Sequence, residues 1–277
     1  MFKHNVWPNS KWGVLLVWLF TLPAITPLLQ PNLAHTADGL LHLYRIVALD
    51  QAIGQGAFFP RWLPDLAYGY GLPLFVFYAP AAYYITLGIG LLGFPIVQTI
   101  NLSLIIALFL AGTGTYLFVN RLFGLKAALV ASVAYVYAPY LLTSLFLRGS
   151  LPLVWALALF PLVFWAFERL FQTKQWLDAS LAAFLLGVAL LTHNISTLLF
   201  LPLLAFFVAV RYLLPPLWTP STSARGELLR SYFLSVAPIL LALILGGGLA
   251  LFFLLPAMIE KEFVQIERVI TPPDFDY

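Results

Sequence analysis

Long apolar runs separated by short polar breaks dominate the hydropathy pattern of the chain. A helix needs about 20 mostly apolar residues to cross a bilayer, so each run is a candidate transmembrane helix. The pattern therefore predicts an all-α, polytopic helical membrane protein. The candidate spans, in chain order, are 12–29, 72–93, 97–119, 126–145, 152–170, 178–192, 195–213 and 231–255.

The composition agrees with this prediction. Hydrophobic residues make up 62% of the chain and charged residues 9%, with a mean hydropathy of +0.95, whereas soluble domains carry about 25% charged residues. Membrane lipid is therefore the expected surrounding. The net charge of +3 includes no basic run, so nucleic acid is not an expected partner. Without cysteine, the chain has no disulfide, thiolate zinc site or cysteine nucleophile.

Basic residues favour cytoplasmic loops and so predict the orientation. If all eight runs cross from a cytoplasmic N-terminus, five basic residues lie inside and nine outside. If 72–93 does not cross fully, nine lie inside and five outside. We therefore predict seven transmembrane helices in the cell membrane, or eight if 72–93 crosses. Pro73, Pro80 and three tyrosines favour an interfacial position for this segment.

The first run, 12–29, is read as a retained anchor, because it is long and lacks a small-residue cleavage site. We expect 1–277 to form one integral membrane domain. Residues 30–71 would form a long first outer loop, with an interfacial helix from about 38 to 54 and an aromatic part at the membrane surface. An outer tail, 256–277, ends without a capping element, so the chain is expected to be shorter than its relatives.

The stretch "HTADGLLHLYR" in that loop collects ionisable groups in an otherwise apolar chain. Asp38, His42 and Arg45 have the i, i+4, i+7 spacing of one helix face, with His35 about one turn earlier. Asp38 could act as a general base or metal ligand, His42 could share either role or bind phosphate, and Arg45 suits a phosphate. The alternatives are a helix-capping Asp38 and an Arg45 that reaches lipid phosphates.

Two further polar groups interrupt the apolar runs. His193 and Asn194, in "LTHN", stand where 178–192 meets 195–213, and they are candidates for substrate contact or for a simple turn. Arg148, in "LRGS", is expected on the same face as Asp38, where it would meet a donor phosphate or act as an interfacial arginine. Gly246, in a glycine triplet of the last span, would allow close helix approach.

Several stretches, in order, carry a family resemblance. The chain resembles the bacterial and archaeal membrane proteins called 6-pyruvoyl-tetrahydropterin synthase-related, on the motifs "DGLLHLYRI", "FFPRWLPDLAYGYGLPLFVFYAPAAYY", "RLFG", "LTHN" and "FFLLPAMIEKEFV". Pterin synthases themselves are soluble and use a histidine-bound zinc. This chain has no comparable histidine cluster, so that activity is not expected.

More remotely, the layout resembles the GT-C glycosyltransferases, which have one span, a large outer loop with an essential acid, and further spans in a seven-helix module. The resemblance implies transfer of a sugar from a polyprenyl-phosphate or polyprenyl-pyrophosphate donor at the outer face, with Asp38 matching the loop acid. Relatives often have Lys-Gly in place of His193-Asn194. Many carry a second acid in the next outer loop, but here that loop reads "FLRGSLPLVWA".

The leading hypothesis is thus a membrane glycosyltransferase with Asp38 and His42 as catalytic candidates. The predicted substrate-binding residues are His35, Arg45, Arg148, His193 and Asn194. No metal ligand set is predicted, and a divalent cofactor stays open. The alternative is a non-catalytic membrane protein that binds or translocates a lipid-linked sugar, or a scaffold for envelope assembly.

Overall fold

The described part of the protein is mostly helical. A computed structural model describes residues 10–213 and 225–264, and within them the extended pairing is one isolated antiparallel bridge between Leu63 and Leu72. This confirms the predicted all-α, polytopic membrane fold. The helices are α1 Ser10–Ile25, α2 Gly39–Gly54, α3 Leu74–Phe77, α4 Ala81–Gly90, α5 Ile96–Phe123, α6 Leu125–Val136, α7 Pro139–Thr143, α8 Leu151–Thr173, α9 Trp176–Leu190, α10 Asn194–Val208 and α11 Arg225–Ile259.

Six stretches among the described residues are long and apolar enough to cross a membrane. They comprise α1 with a following 3-10 turn, α5, the α6–α7 pair, α8, α10 and most of α11. The α6–α7 pair is broken just before Pro139, because proline cannot continue the hydrogen-bond ladder of the preceding helix. It ends in a π-helical turn, Ser144–Arg148. Helix α9 is apolar but shorter, with 15 residues, or about 22 Å.

The segment 72–93 forms no single span. It consists of α3 and α4, separated by a break at Tyr78–Pro80. The 10 residues of α4 extend about 15 Å, against a hydrocarbon thickness of about 30 Å. The proline-based prediction that this segment does not cross as one helix therefore agrees with the structure.

Contacts between helix ends define two faces of the bundle. On one of them, which we call the loop face because residues 30–71 lie there, Asn101 of α5 donates to the carbonyls of Gln30 (3.1 Å) and Asn32 (3.3 Å). The end of the first span and the beginning of α5 thus lie together. Along these two helices, the Trp18 indole donates to the Thr113 hydroxyl at 2.9 Å, as expected for an antiparallel pair.

Two more contacts belong to the loop face. The carbonyl of Leu191, after α9, accepts a 2.8 Å hydrogen bond from the backbone N–H of Ala81. At the end of α11, Glu260 forms an ion pair with Arg61 of the segment 30–71. The end of α9, the beginning of α4 and the end of α11 therefore share this face.

On the opposite face, a buried carboxylate connects the ends of several helices. Glu168 of α8 is fully buried and accepts two hydrogen bonds from Arg211, at 2.9 and 2.8 Å. Gln172 donates to the same carboxylate at 3.0 Å and accepts from Arg121 of α5. Nearby, Arg169 pairs with Asp178 of α9 at 2.6 Å. These side chains join the ends of α5, α8 and α10 to the beginning of α9.

Within the described residues, seven segments run from one face to the other: α1, α5, α6–α7, α8, α9, α10 and α11. Six of them are the candidate membrane spans, and α9 is the shorter one. The N-terminal end of α1 lies at the face opposite the loop. Close approach in the second half of the bundle depends on glycine: a Cβ added to Gly187 of α9 would lie 3.2 Å from the carbonyl oxygen of Gly246 in α11. The predicted close approach at the glycine triplet is therefore confirmed at Gly246. Lys3, Arg268 and the part of the outer tail from 265 to 277 lie outside the described residues.

Candidate functional site

The site begins at the first turn of α2. Thr36 Oγ1 accepts a 3.1 Å hydrogen bond from the backbone N–H of Gly39, so the Thr36 hydroxyl satisfies a free donor of the first turn. Asp38 stands at the N-cap position but its side chain makes no capping bond. The capping alternative predicted for Asp38 is therefore wrong. Its half-buried carboxylate is left for other chemistry.

The segment before α2 is attached to the Arg148 turn by its backbone. The N–H of Asp38 donates to the carbonyl of Arg148 at 2.7 Å, and the N–H of Ala37 donates to that of Leu147 at 3.0 Å. Gly149 adopts a left-handed φ of +67°, and a Cβ there would lie 2.0 Å from Thr36 Oγ1. Only glycine fits, on both conformational and steric grounds. Asp38 and Arg148, 110 residues apart in the sequence, thus lie side by side.

His42 and Arg45 meet at the hydroxyl of Tyr83 in α4. Arg45 Nη1 donates to Tyr83 Oη at 3.2 Å, and Nδ1 of His42 lies 2.8 Å from the same oxygen. The Arg45 guanidinium also lies over the ring of Tyr78, 4.4 Å from its centroid. A guanidinium can only donate, so we assign the hydroxyl proton to His42 Nδ1. The neutral imidazole then carries its own proton on Nε2.

Two buried donors of this group have no hydrogen-bond partner within the described residues. They are His42 Nε2, on a residue that is only 2% exposed, and Arg45 Nε. Buried polar groups in proteins are nearly always paired, so such exceptions call for an explanation. Two unpaired donors one helical turn apart on α2 make an arrangement that suits an anionic or oxygen-rich ligand.

His193 and Asn194 form the break between α9 and α10. His193 caps α10, with Nδ1 accepting from the backbone N–H of Ser196 at 3.2 Å. The Asn194 amide donates to the carbonyl of Phe77 at 2.7 Å and accepts from the N–H of Ala79 at 3.1 Å. Asn194 is thus engaged with the backbone between α3 and α4. Its predicted contact with substrate stays a prediction.

The electrostatics connect these groups into one cluster. Burial is the largest cause that lowers the pKa of His42 to about 3, and the neighbouring Arg45 and His193 contribute the rest of this shift. Burial, followed by the charge of Arg148, also lowers the pKa of His193. The four side chains therefore influence one another: Arg148 acts on His193, and His193 and Arg45 act on His42. Because both histidine pKa values are lowered, both imidazoles are neutral at pH 7.

A comparison with protein-family models matches a range of the chain that contains part of this cluster. Residues 75–268 match the family model described as "6-pyruvoyl-tetrahydropterin synthase related domain; membrane protein". The chain belongs to this family. Within the matched range lie Tyr78, Tyr83, Arg148 and His193, whereas α2 with Asp38 precedes it. No curated protein and no solved structure matches the chain.

The described residues of this protein contain no side-chain group that resembles the histidine-bound zinc site of pterin synthases. No group of three or more His, Asp or Glu side chains there could hold a metal ion. The cluster instead combines one free carboxylate with cationic and N–H donors. Such a set can accept a proton at Asp38 and stabilise negative charge at the neighbouring groups.

Sequence reasoning found part of the cluster. The structure places Arg148 beside Asp38 and His42 beside Arg45, and the electrostatics relate His193 to Arg148 and His42. The roles predicted for these residues stay predictions. His35 is exposed and lies before the cap, and its predicted role stays a prediction. Thr36 and Tyr83 were missed. Tyr83 could have been found from its position in 72–93, an apolar segment that was not expected to cross the membrane. A tyrosine buried in such a segment needs a hydrogen-bond partner for its hydroxyl.

Proposed function

We propose that this protein is a membrane glycosyltransferase that moves a sugar from a polyprenyl-phosphate donor to an acceptor hydroxyl at the outer face. The observation that supports this most is the position of Asp38. Its carboxylate is not used by the helix cap, and its backbone N–H is bonded to Arg148. A base next to a phosphate-binding arginine is the minimum such a transfer needs.

In the proposed reaction, Asp38 takes the proton of the acceptor hydroxyl while the oxygen of that hydroxyl attacks the anomeric carbon of the donor sugar. A bond forms between that oxygen and the anomeric carbon, and the bond from the anomeric carbon to the phosphate oxygen breaks. The electron pair leaves with the polyprenyl phosphate. Arg148, which is exposed on the loop face, would neutralise the developing phosphate charge through charge-assisted hydrogen bonds.

His42 and Arg45 are assigned to donation and not to base chemistry. His42 Nδ1 is used by the Tyr83 hydroxyl, and its Nε2 carries a proton in the neutral tautomer. The unpaired Nε2–H of His42 and Nε–H of Arg45 would bind oxygens of the donor head group. Asp38 is then the proton acceptor of the cluster, and His42 contributes by binding.

The orientation belongs to the same proposal. Of the basic residues that the structure describes, eight belong to the face opposite the loop in the seven-pass arrangement and four to the loop face. By the positive-inside rule, the face opposite the loop would be cytoplasmic, and so would the N-terminus. The cluster would then face outward, where polyprenyl-linked sugars are available once they have been flipped.

The experiment compares Asp38→Asn with Asp50→Asn, a matched change at an exposed acid further along α2. Membranes containing each variant receive polyprenyl phosphate that carries a radiolabelled hexose, and transfer of label to the membrane acceptors is counted. We expect Asp38→Asn to lose about 10²–10⁴-fold in rate, typical of a lost general base. Asp50→Asn should match the parent, and equal transfer by all three proteins would refute the proposal.

One observation favours a second candidate, a non-catalytic binder or translocator of lipid-linked sugars. The loop that carries Arg148 contains no acid, so Asp38 would have to work without a second carboxylate. In that case the labelled donor should bind to the purified protein, Asp38→Asn should bind it equally well, and no protein should transfer the sugar.

A further inference from the structure

A short hairpin in the outer loop has a conformation that its own packing does not explain. It is closed by two backbone hydrogen bonds between Leu63 and Leu72, at 2.9 and 3.0 Å. At its tip, Ala67 (φ +53°) and Tyr68 (φ +59°) both adopt the left-handed conformation. L-residues with side chains avoid this region at a cost in free energy, and such strain concentrates where a segment has a function.

The strained tip presents tyrosines outward. Tyr68 is fully exposed and Tyr70 is 86% exposed, so neither ring gains from burial in the protein. Trp62 is more than half exposed and lies against Gly71, where a Cβ would come within 2.4 Å of its indole. The fold therefore exposes three amphipathic aromatic side chains at or beside one short hairpin instead of burying them.

The attachment of the hairpin to α11 sets its depth in the bilayer. Just before the hairpin, Phe59 packs edge-to-face on Phe252, with ring centroids 5.2 Å apart. Phe252 lies in the apolar stretch Val236–Phe263, eight residues or about 12 Å before Glu260. Arg61 then forms its ion pair with Glu260 at the charged end of that helix. Residues 59–61 thus run from the apolar part of α11 to its charged end.

The geometry points to a lipid surface as the partner of this hairpin: we propose that Tyr68, Tyr70 and Trp62 insert into the head-group layer of the loop-face leaflet. Tyrosine and tryptophan prefer this layer, because the ring is apolar and the O–H or N–H can bond to water and head groups. The Arg61 charge is already paired, so it opposes insertion little. The hairpin would thereby fix the height of the outer loop above the bilayer.

The test uses the absence of native cysteine. Tyr68→Cys and Tyr70→Cys are each labelled with an environment-sensitive fluorophore and reconstituted into phosphatidylcholine vesicles. Leu251→Cys, exposed in the middle of the outer half of α11, serves as the deep reference. The label on free cysteine in buffer serves as the aqueous reference. Vesicles contain lipids brominated either near the head group or near the chain end.

We expect both hairpin labels to emit blue-shifted light and to be quenched more by shallow than by deep bromines, with the opposite order at Leu251. Emission as in buffer, without quenching by either lipid, would overturn the proposal. So would a blue shift that appears only when soluble oligosaccharide is added, which would indicate a glycan platform. Ala67→Gly combined with each cysteine relaxes the tip, and it should weaken the shallow quenching at residue 68 if the strained turn sets the depth. This proposal is independent of the proposed transferase activity.

Discussion

The backbone N–H of Asp38 donates a 2.7 Å hydrogen bond to the carbonyl of Arg148. This bond joins the beginning of α2 to the turn between α7 and α8. As a result, Asp38, whose side chain does not cap α2, and Arg148 lie next to each other on the loop face. The groups around them give the following expectations.

The stability of the protein should fall in mild acid because of His42. Its folded pKa, about 3, lies below the unfolded value of 6.5, so the unfolded state binds the extra proton between these values. Stability is therefore complete above pH 6.5 and decreases as the pH falls towards 3, by up to about 1.4 kcal/mol per pH unit. His193 acts in the same direction.

Thermal unfolding of the detergent-solubilised protein between pH 8 and pH 5 measures this effect. His42→Gln should flatten the pH dependence, leaving the part due to His193. His35→Gln removes an exposed imidazole and should leave the curve of the parent unchanged. An identical slope in the His42 variant would contradict the buried neutral imidazole.

Tyr83→Phe should destabilise the protein by about 1–3 kcal/mol, the usual cost of leaving a buried polar group without its partner. The change removes the hydroxyl shared by His42 and Arg45. Tyr84→Phe is the matched control, because its hydroxyl bonds to the carbonyl of Phe58 at an exposed position. Chemical denaturation in detergent should rank the Tyr83 variant clearly below the Tyr84 variant, and equal losses would argue against the shared hydroxyl.

Asn194→Ala should loosen the connection between α3 and α4. Two backbone groups, the carbonyl of Phe77 and the N–H of Ala79, lose their partner, which we expect to cost about 1–3 kcal/mol. Limited proteolysis should then cut near residues 77–80 faster than in the parent. Gln98→Ala, at an exposed amide, is the control. If Asn194→Ala changed donor binding without altering cleavage there, the residue would contact substrate as the sequence predicted.

Glu168→Gln should cost far more stability than Glu260→Gln. Glu168 is fully buried and holds Arg211 by two hydrogen bonds, whereas Glu260 and Arg61 are both partly exposed. Breaking a buried pair at one partner costs about 3–5 kcal/mol. We expect about 1–3 kcal/mol here, because Arg211 keeps 39% side-chain exposure and can be hydrated. For Glu260→Gln we expect about 0–1 kcal/mol. Comparable melting temperatures of the two variants would refute the difference.

The seven-pass arrangement predicts which cysteines an impermeant reagent can reach. In right-side-out vesicles, a cysteine replacing exposed Leu91, in the turn after α4, should be labelled directly. A cysteine replacing Phe123, at the end of α5, should be labelled only after the membrane is opened, because α5 crosses between them. Direct labelling at 123 would defeat the proposed orientation.

The sequence by itself determined the membrane class, the positions of most spans and the helix α2 after the first span. The physical reason is that lipid forces the backbone to satisfy its hydrogen bonds within each helix, so apolar runs of sufficient length report spans directly. Two prolines likewise indicated that 72–93 is not one helix. Helical spacing placed Asp38, His42 and Arg45 near one another without any knowledge of the fold.

Tertiary structure alone decided which partners those side chains have. Whether Asp38 caps α2 depends on Thr36 taking the cap, and whether His42 is a base or a donor depends on Tyr83, 41 residues away. The pairing of Asp38 with Arg148 rests on backbone bonds and on the left-handed Gly149, none of which has a local pattern in the sequence. Hydrogen-bond partners distant in the chain are selected by packing, and hydropathy carries no information about them.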